Sequence, residues 1–123
     1  SIFILRIILF NRNDFWLQNE FVTYNVTRYI CMIASFYHKG LERYWNLGDA
    51  SKLPANHVKK IKEILLFLDR AETISDIRFP GSGLHALKGD LRGYWAVTVK
   101  ANWRIIFRFE NGNAHVVDYL DYH

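Results

Sequence analysis

The residues best suited to chemistry gather between Leu84 and His123: His85, Lys88, Arg92, Lys100, Asn102, Arg104, Asp121, Tyr122 and His123. Histidine moves protons near neutral pH because its unperturbed pKa is about 6.5. Lysine and arginine hold phosphate, arginine through a planar fork of donors. A tyrosine ring can stack an unpaired base. Together these types suit cleavage of RNA by its own 2′-hydroxyl. Such a site must take a proton from that hydroxyl, stabilise charge around phosphorus and protonate the leaving 5′-oxygen. None of these steps requires a cofactor.

Each residue also has a plainer reading. His85 could be a surface histidine, and Lys88 a turn lysine beside Gly89-Asp90. Arg104 could pair with Asp118 or Asp121 across a sheet. Tyr122 could cap the core, and His123 could fray as chain ends do. A metal site on Asp118, Asp121 and His123 is the rival chemistry. Strand alternation puts Asp121 and His123 on one face and Asp118 on the other. No HExxH run or cysteine pair supports it, so no metal is expected.

These residues lie on strands. Tyr94 to Lys100 alternates, with Trp95, Val97 and Val99 on one side. Trp103 to Phe109 alternates more strongly, with Trp103, Ile105, Phe107 and Phe109 opposite Arg104 and Arg108. Asn111-Gly112 is a hairpin turn signal, and Ala114 to Leu120 reads as the returning strand. Leu84 to Lys88 reads as a short strand leading into the turn Gly89–Gly93. Consecutive strands with tight turns predict an antiparallel sheet, which needs helices on one face. His85 and Lys88 fall on opposite sides of an ideal strand. A common site therefore requires a bend near Gly89, and a C-terminal tail folded back beside Lys88 and Arg104.

The helices precede the sheet. Met32 to Tyr37 is a strand candidate. His38 to Leu47 reads as a short helix with a stripe of Leu41, Tyr44, Trp45 and Leu47, stopped by Gly48. Pro54 to Ala71 is the clearest helix. Pro54 suits its first turn, and Val58, Ile61, Ile64, Leu65 and Leu68 form its apolar face. Thr73 to Arg78 reads as a further turn capped by Ser75.

Residues 1–31 differ from the rest. They open on SIFILRIILF, too short to span a bilayer and without the basic start of a signal peptide. The only methionine is Met32, so the working expectation is an upstream extension, 1–31, before one domain, 32–123. The single cysteine, Cys31, allows no internal disulfide and fits a reducing, cytoplasmic setting, though it also allows a disulfide between two copies of the chain. A net charge of +4 and a pI near 9.3 point to an anionic partner such as nucleic acid, or to a solvated basic surface.

Several phrases, in order, resemble HigB-type toxins of the RelE superfamily. They are Met32-Ile-Ala-Ser-Phe-Tyr-His-Lys-Gly-Leu, Leu84-His-Ala-Leu-Lys-Gly-Asp with Gly93-Tyr-Trp-Ala-Val-Thr-Val, Ala101-Asn-Trp-Arg-Ile-Ile-Phe-Arg-Phe, Asn111-Gly-Asn-Ala and Asp118-Tyr-Leu-Asp-Tyr-His. The resemblance covers Met32–His123. It implies an α+β, RelE-like fold: a small twisted, mainly antiparallel sheet of about four to five strands, with two or three helices on one face. It further implies a metal-independent, ribosome-dependent mRNA endonuclease acting in the ribosomal A site, and a HigA-type helix-turn-helix antitoxin as partner.

On that resemblance, His85 and His123 transfer protons, and Asp121 and Tyr122 orient the 2′-hydroxyl and base. Lys88 and Arg104 hold the scissile phosphate. Asn102 reads a base edge, favouring adenine, and Lys100 and Arg92 contact the RNA. Ala86 stands where the family commonly has proline, and Leu120 where relatives are often acidic. The alternatives are a ParE-like gyrase poison, which shares the scaffold but lacks this polar cluster, and a non-catalytic RNA-binding module.

Overall fold

The computed structural model describes residues 32–122. The expected extension, 1–31, and the terminal His123 lie outside the described residues. Among the described residues two α-helices lead into four strands, which form one antiparallel sheet in the order β1-β2-β3-β4. The strands are β1 (His85–Ala86), β2 (Tyr94–Lys100), β3 (Trp103–Glu110) and β4 (Asn113–Asp121).

Helix α1 (Lys39–Leu47) starts where His38 caps it, its Nδ1 accepting from the Leu41 amide at 3.1 Å. It ends at Gly48, whose left-handed backbone (φ 76°) returns an amide to the Tyr44 carbonyl. Leu41, Tyr44 and Trp45 are buried, but Leu47 is 68% exposed, so the expected stripe is one residue too long.

Pro54 precedes a short 3₁₀ turn (Ala55–His57), which runs into α2 (Val58–Arg70). Ile61, Ile64, Leu65 and Leu68 of α2 are fully buried. Burying each such side chain stabilises the fold by roughly 1.5–3 kcal/mol relative to exposure. A second 3₁₀ turn (Ile74–Ile77) is capped by Thr73, with Asp76 completing a capping box, rather than by Ser75. The Glu72 and Thr73 amides donate to Asp76 and hold its carboxyl below the ordinary carboxylate range.

The apolar parity of the strands meets the helices on one face. Val97, Val99, Ile105, Phe107, Val117 and Tyr119 pack with Leu41, Trp45, Ile61, Leu65 and Leu68 in the main core. Met32 to His38 runs beside β4. It makes two isolated parallel bridges, Ile33 with Ala114 and Phe36 with Val117. That segment is the fifth strand of the expectation in reduced form. It is interrupted where Val116 adopts φ 48° and the β3–β4 register shifts. A β-branched residue at positive φ is unusual, and here it marks a bulge. Ser35 secures the bulge: its Oγ accepts the Val116 amide at 2.8 Å and its carbonyl accepts the Val117 amide. Among the described residues no helix is long and apolar enough to cross a membrane.

Candidate active site

The sheet face away from the main core presents three cross-strand rows. Register aligns Thr98, Arg104 and Leu120 at one end. Ala96, Ile106 and Asp118 lie in the middle, with His85 opposite Ala96. Tyr94, Arg108 and His115 lie at the other end. The floor is apolar: Leu87, Ala96 and Ile106 are buried there, with Leu91, Tyr94, Leu120 and Tyr122 packed against them. The candidate site is thus a polar rim around a small second core.

His85 is exposed, and its Nδ1 lies 2.9 Å from the Gly83 carbonyl oxygen. A carbonyl only accepts, so Nδ1 must carry the proton. In the neutral ring Nε2 is then the free acceptor, the state a proton-abstracting base requires. The Gly83 loop is held in turn, because the Thr98 amide donates to the Ser82 carbonyl at 2.8 Å. Gly83 has φ +59°, and a Cβ there would stand 2.7 Å from Thr98 Oγ1. Gly83→Ala is therefore expected to cost at least about 1–2 kcal/mol from its left-handed backbone alone. A thermal melt should show it as a fall of roughly 4–8 °C per kcal/mol. The ¹⁵N shifts of the His85 ring should also lose the single Nδ1-protonated form.

Strand β1 is only two residues long, shorter than the expected Leu84–Lys88. The chain leaves the ladder after Ala86, and the Leu87 amide still donates to the Tyr94 carbonyl. Lys88 is exposed and opens the 3₁₀ turn Gly89–Leu91, followed by exposed Arg92. The chain does turn at Gly89 (φ 66°), but the turn follows Lys88 and lies past the Leu87–Tyr94 bond, at the end of the sheet away from Arg104.

Neither aspartate stands directly opposite Arg104. Its cross-strand neighbour is Leu120, whereas Asp118 lies opposite Ile106 and Asp121 opposite Trp103. Its Nη1 donates to the carbonyls of Ala101 and Trp103. Its Nε is buried and without a hydrogen-bond partner among the described residues. An orphaned buried donor costs about 1–3 kcal/mol. The guanidinium is thereby fixed at the β2–β3 turn, beside exposed Lys100 and Asn102.

Asp121 belongs by register to the Trp103 parity, the reverse of the face that carries Arg104. Tyr122 returns to the Arg104 side. Its amide donates to the Asn102 carbonyl at 2.8 Å, and its side chain packs on the second core. Two segments meet at this end, the β2–β3 turn and the end of β4, with Gly83 beside Thr98; His85 stands on the middle row, and Lys88 lies beyond the Leu87–Tyr94 bond, toward the other end of the sheet. No arrangement of three or more His, Cys, Asp or Glu side chains suited to a metal ion occurs among the described residues.

Sequence reasoning missed one buried polar pair. His57 is 6% exposed, and its Nδ1 meets the Tyr119 hydroxyl at 2.5 Å. Burial pushes the Tyr119 phenol up, which keeps it protonated. Tyr119 sits at core parity in β4, and a buried hydroxyl there demands a partner. That signal was present, but nothing local pointed to His57.

A four-stranded antiparallel sheet backed by two helices, with a basic and histidine-bearing rim on the free face, defines an α+β protein of the RelE-like class. The chain belongs to the HigB-like toxins: the family model for the RelE-like toxin of type II toxin–antitoxin system HigB matches residues 34–123. Membership implies an antitoxin partner. The chain is 47% identical over 92 residues to the Endoribonuclease HigB of Proteus vulgaris, covering 75% of this chain and all of that protein. It is 32% identical over 94 residues to Toxin HigB-1 of Vibrio cholerae serotype O1, covering 75% of this chain and 98% of that one.

Proposed function

We propose that this chain is an endoribonuclease toxin that cuts mRNA in the ribosomal A site, acts in the cytoplasm and is neutralised by a HigA-type antitoxin. The observation that carries the reading is the His85 ring, which the Gly83 carbonyl holds with Nε2 as the free acceptor. A solvated surface histidine needs no such tether. The relative from Proteus vulgaris, whose name states endoribonuclease activity, supports the same reading.

In this mechanism the substrate supplies the nucleophile. His85 and His123 share the two proton transfers, one removing the 2′-hydroxyl proton and the other protonating the 5′-oxygen. Lys88 and Arg104 stabilise the charge that grows on the phosphate oxygens. Tyr122 orients the ribose and base, whereas Asp121, on the reverse parity, is left out of the site; Asn102 reads a base edge, its paired donor and acceptor matching adenine. Lys100 and Arg92 contact neighbouring phosphates. The chemistry is complete without a metal, because the lysine and arginine supply the positive charge. The toxin unit is residues 32–123, so that segment expressed alone should keep the activity.

Primer extension on cellular mRNA after induction tests the reading. Cuts within codons, ending in 2′,3′-cyclic phosphate, are expected from the unaltered chain. Lys88→Ala should remove them and relieve growth arrest, since its exposed side chain makes no contribution to the core. Intact mRNA with blocked replication would instead favour the gyrase-poison reading. Binding to ribosomes should also weaken steeply as salt rises, as phosphate-led binding does.

A further inference from the structure

The end of the sheet that carries Asn102, Arg104 and Tyr122 rests on two stacked rings, and one hydrogen bond ties that stack to the helical layer. The Trp103 and Tyr119 rings lie 4.8 Å apart between centroids, with their planes at 23°. They are diagonal neighbours, because Trp103 is opposite Asp121 and Tyr119 opposite Ile105. The Tyr119 hydroxyl reaches His57 in the turn that starts α2. The His57 ring also meets Trp103 edge-on at 6.0 Å, and His38, the α1 cap, meets Tyr119 edge-on at 5.5 Å.

The link to the site runs through backbone. The Trp103 carbonyl accepts from Arg104 Nη1 at 3.1 Å, and the Asn102 carbonyl accepts the Tyr122 amide. This turn is poorly held by the ladder itself. The β2–β3 register shifts between Thr98 and Lys100, and Ala101 has φ 52°.

We infer that His57 and Tyr119 are positioning residues: their hydrogen bond seats the Trp103 ring, and Trp103 seats the carbonyls that hold Arg104 and Tyr122. As a statement about catalysis this rests on the nuclease reading above. Neither side chain touches the RNA. Each acts through Trp103, and the physical basis is that small misplacement of phosphate-binding groups costs far more rate than stability, on the order of a hundredfold for 1 Å.

Tyr119→Phe tests it, because it keeps the ring and its stack and removes only the hydroxyl. In ribosome-programmed RNA cleavage, kcat is expected to fall about tenfold while KM changes less than about twofold. His57→Gln, which keeps a polar partner, should retain more activity than His57→Leu. Joining Tyr119→Phe to His57→Leu should slow the reaction no further than the worse single change, since both break one bond. Hydrogen exchange gives a readout independent of cleavage. In Tyr119→Phe the Tyr122 amide should exchange about tenfold faster, while the Ala96 and Phe107 amides stay protected.

Unchanged kcat per folded molecule, or effects that simply add, would overturn the catalytic coupling. Unchanged Tyr122 exchange would overturn the positioning itself. An unaltered chain that cuts no RNA would remove the nuclease reading, and the exchange arm would still decide whether the stack seats this end of the sheet.

Discussion

With His85 replaced by alanine, RNA cleavage is expected to fall by about 10²–10⁴-fold, the usual worth of a positioned proton-transfer group. The fold should be almost unaffected. His85 is exposed on a two-residue edge strand, and its ring bond to the Gly83 carbonyl is solvent-facing. Such a bond contributes only about 0.5–1.5 kcal/mol, against a total stability of about 5–15 kcal/mol for a domain of this size. A single-turnover cleavage assay together with a thermal melt separates the two effects. A variant that cuts at the unaltered rate would take His85 out of the mechanism. A variant that melts far below the unaltered chain would make it a structural residue.

Phe107→Ala is expected to show the reverse pattern, a large loss of stability at the largest fully buried side chain among the described residues. Phe107 is completely buried at the centre of β3, between β2 and β4, and its side chain faces the helices. Truncating a buried phenylalanine costs about 3–5 kcal/mol, part lost transfer energy and part cavity. That is a large share of the stability of a small domain. Equilibrium unfolding in urea should show a midpoint lowered by roughly 2 M, at an ordinary slope for a small protein. Phe107 lies on the opposite face from Arg104, so molecules that remain folded should keep their cleavage chemistry. A cleavage defect in excess of the unfolded fraction would count against that separation of core and site.

These two positions mark how much of the molecule could be read along the chain. Phe107 was legible, because alternation with Trp103, Ile105 and Phe109 assigns it to the buried face without any knowledge of the fold. His85 was legible as a candidate by residue type and resemblance, but the tether of its ring was not. The tether comes from Gly83, whose left-handed turn is set by β2 across the ladder. Arg104 was expected either to pair with an aspartate or to hold phosphate; its bonds to the Ala101 and Trp103 carbonyls, which fix its guanidinium, come from the turn geometry at Lys100–Trp103 and were not legible along the chain. Thr73, not Ser75, became the cap because Asp76 sits three positions on and completes the reciprocal bonds. Leu47 fell outside the core because, at roughly 100° per residue, it stands about 120° from Leu41, off the face of Leu41, Tyr44 and Trp45.

What the sequence determined by itself is the set of elements and their buried faces. Periods of two and of three to four residues report which side of a segment avoids water, and that is local information. The order of the strands also followed, since tight turns leave consecutive strands little choice but to pair. Only the tertiary structure decided which residues meet. The bulge at Val116 breaks the alternation of β4, so parity alone could not carry the register from one end of that strand to the other. His57 and Tyr119 are 62 positions apart and share one hydrogen bond because helix and sheet pack together. A contact of that kind depends on the relative placement of whole elements, a quantity that no local pattern encodes.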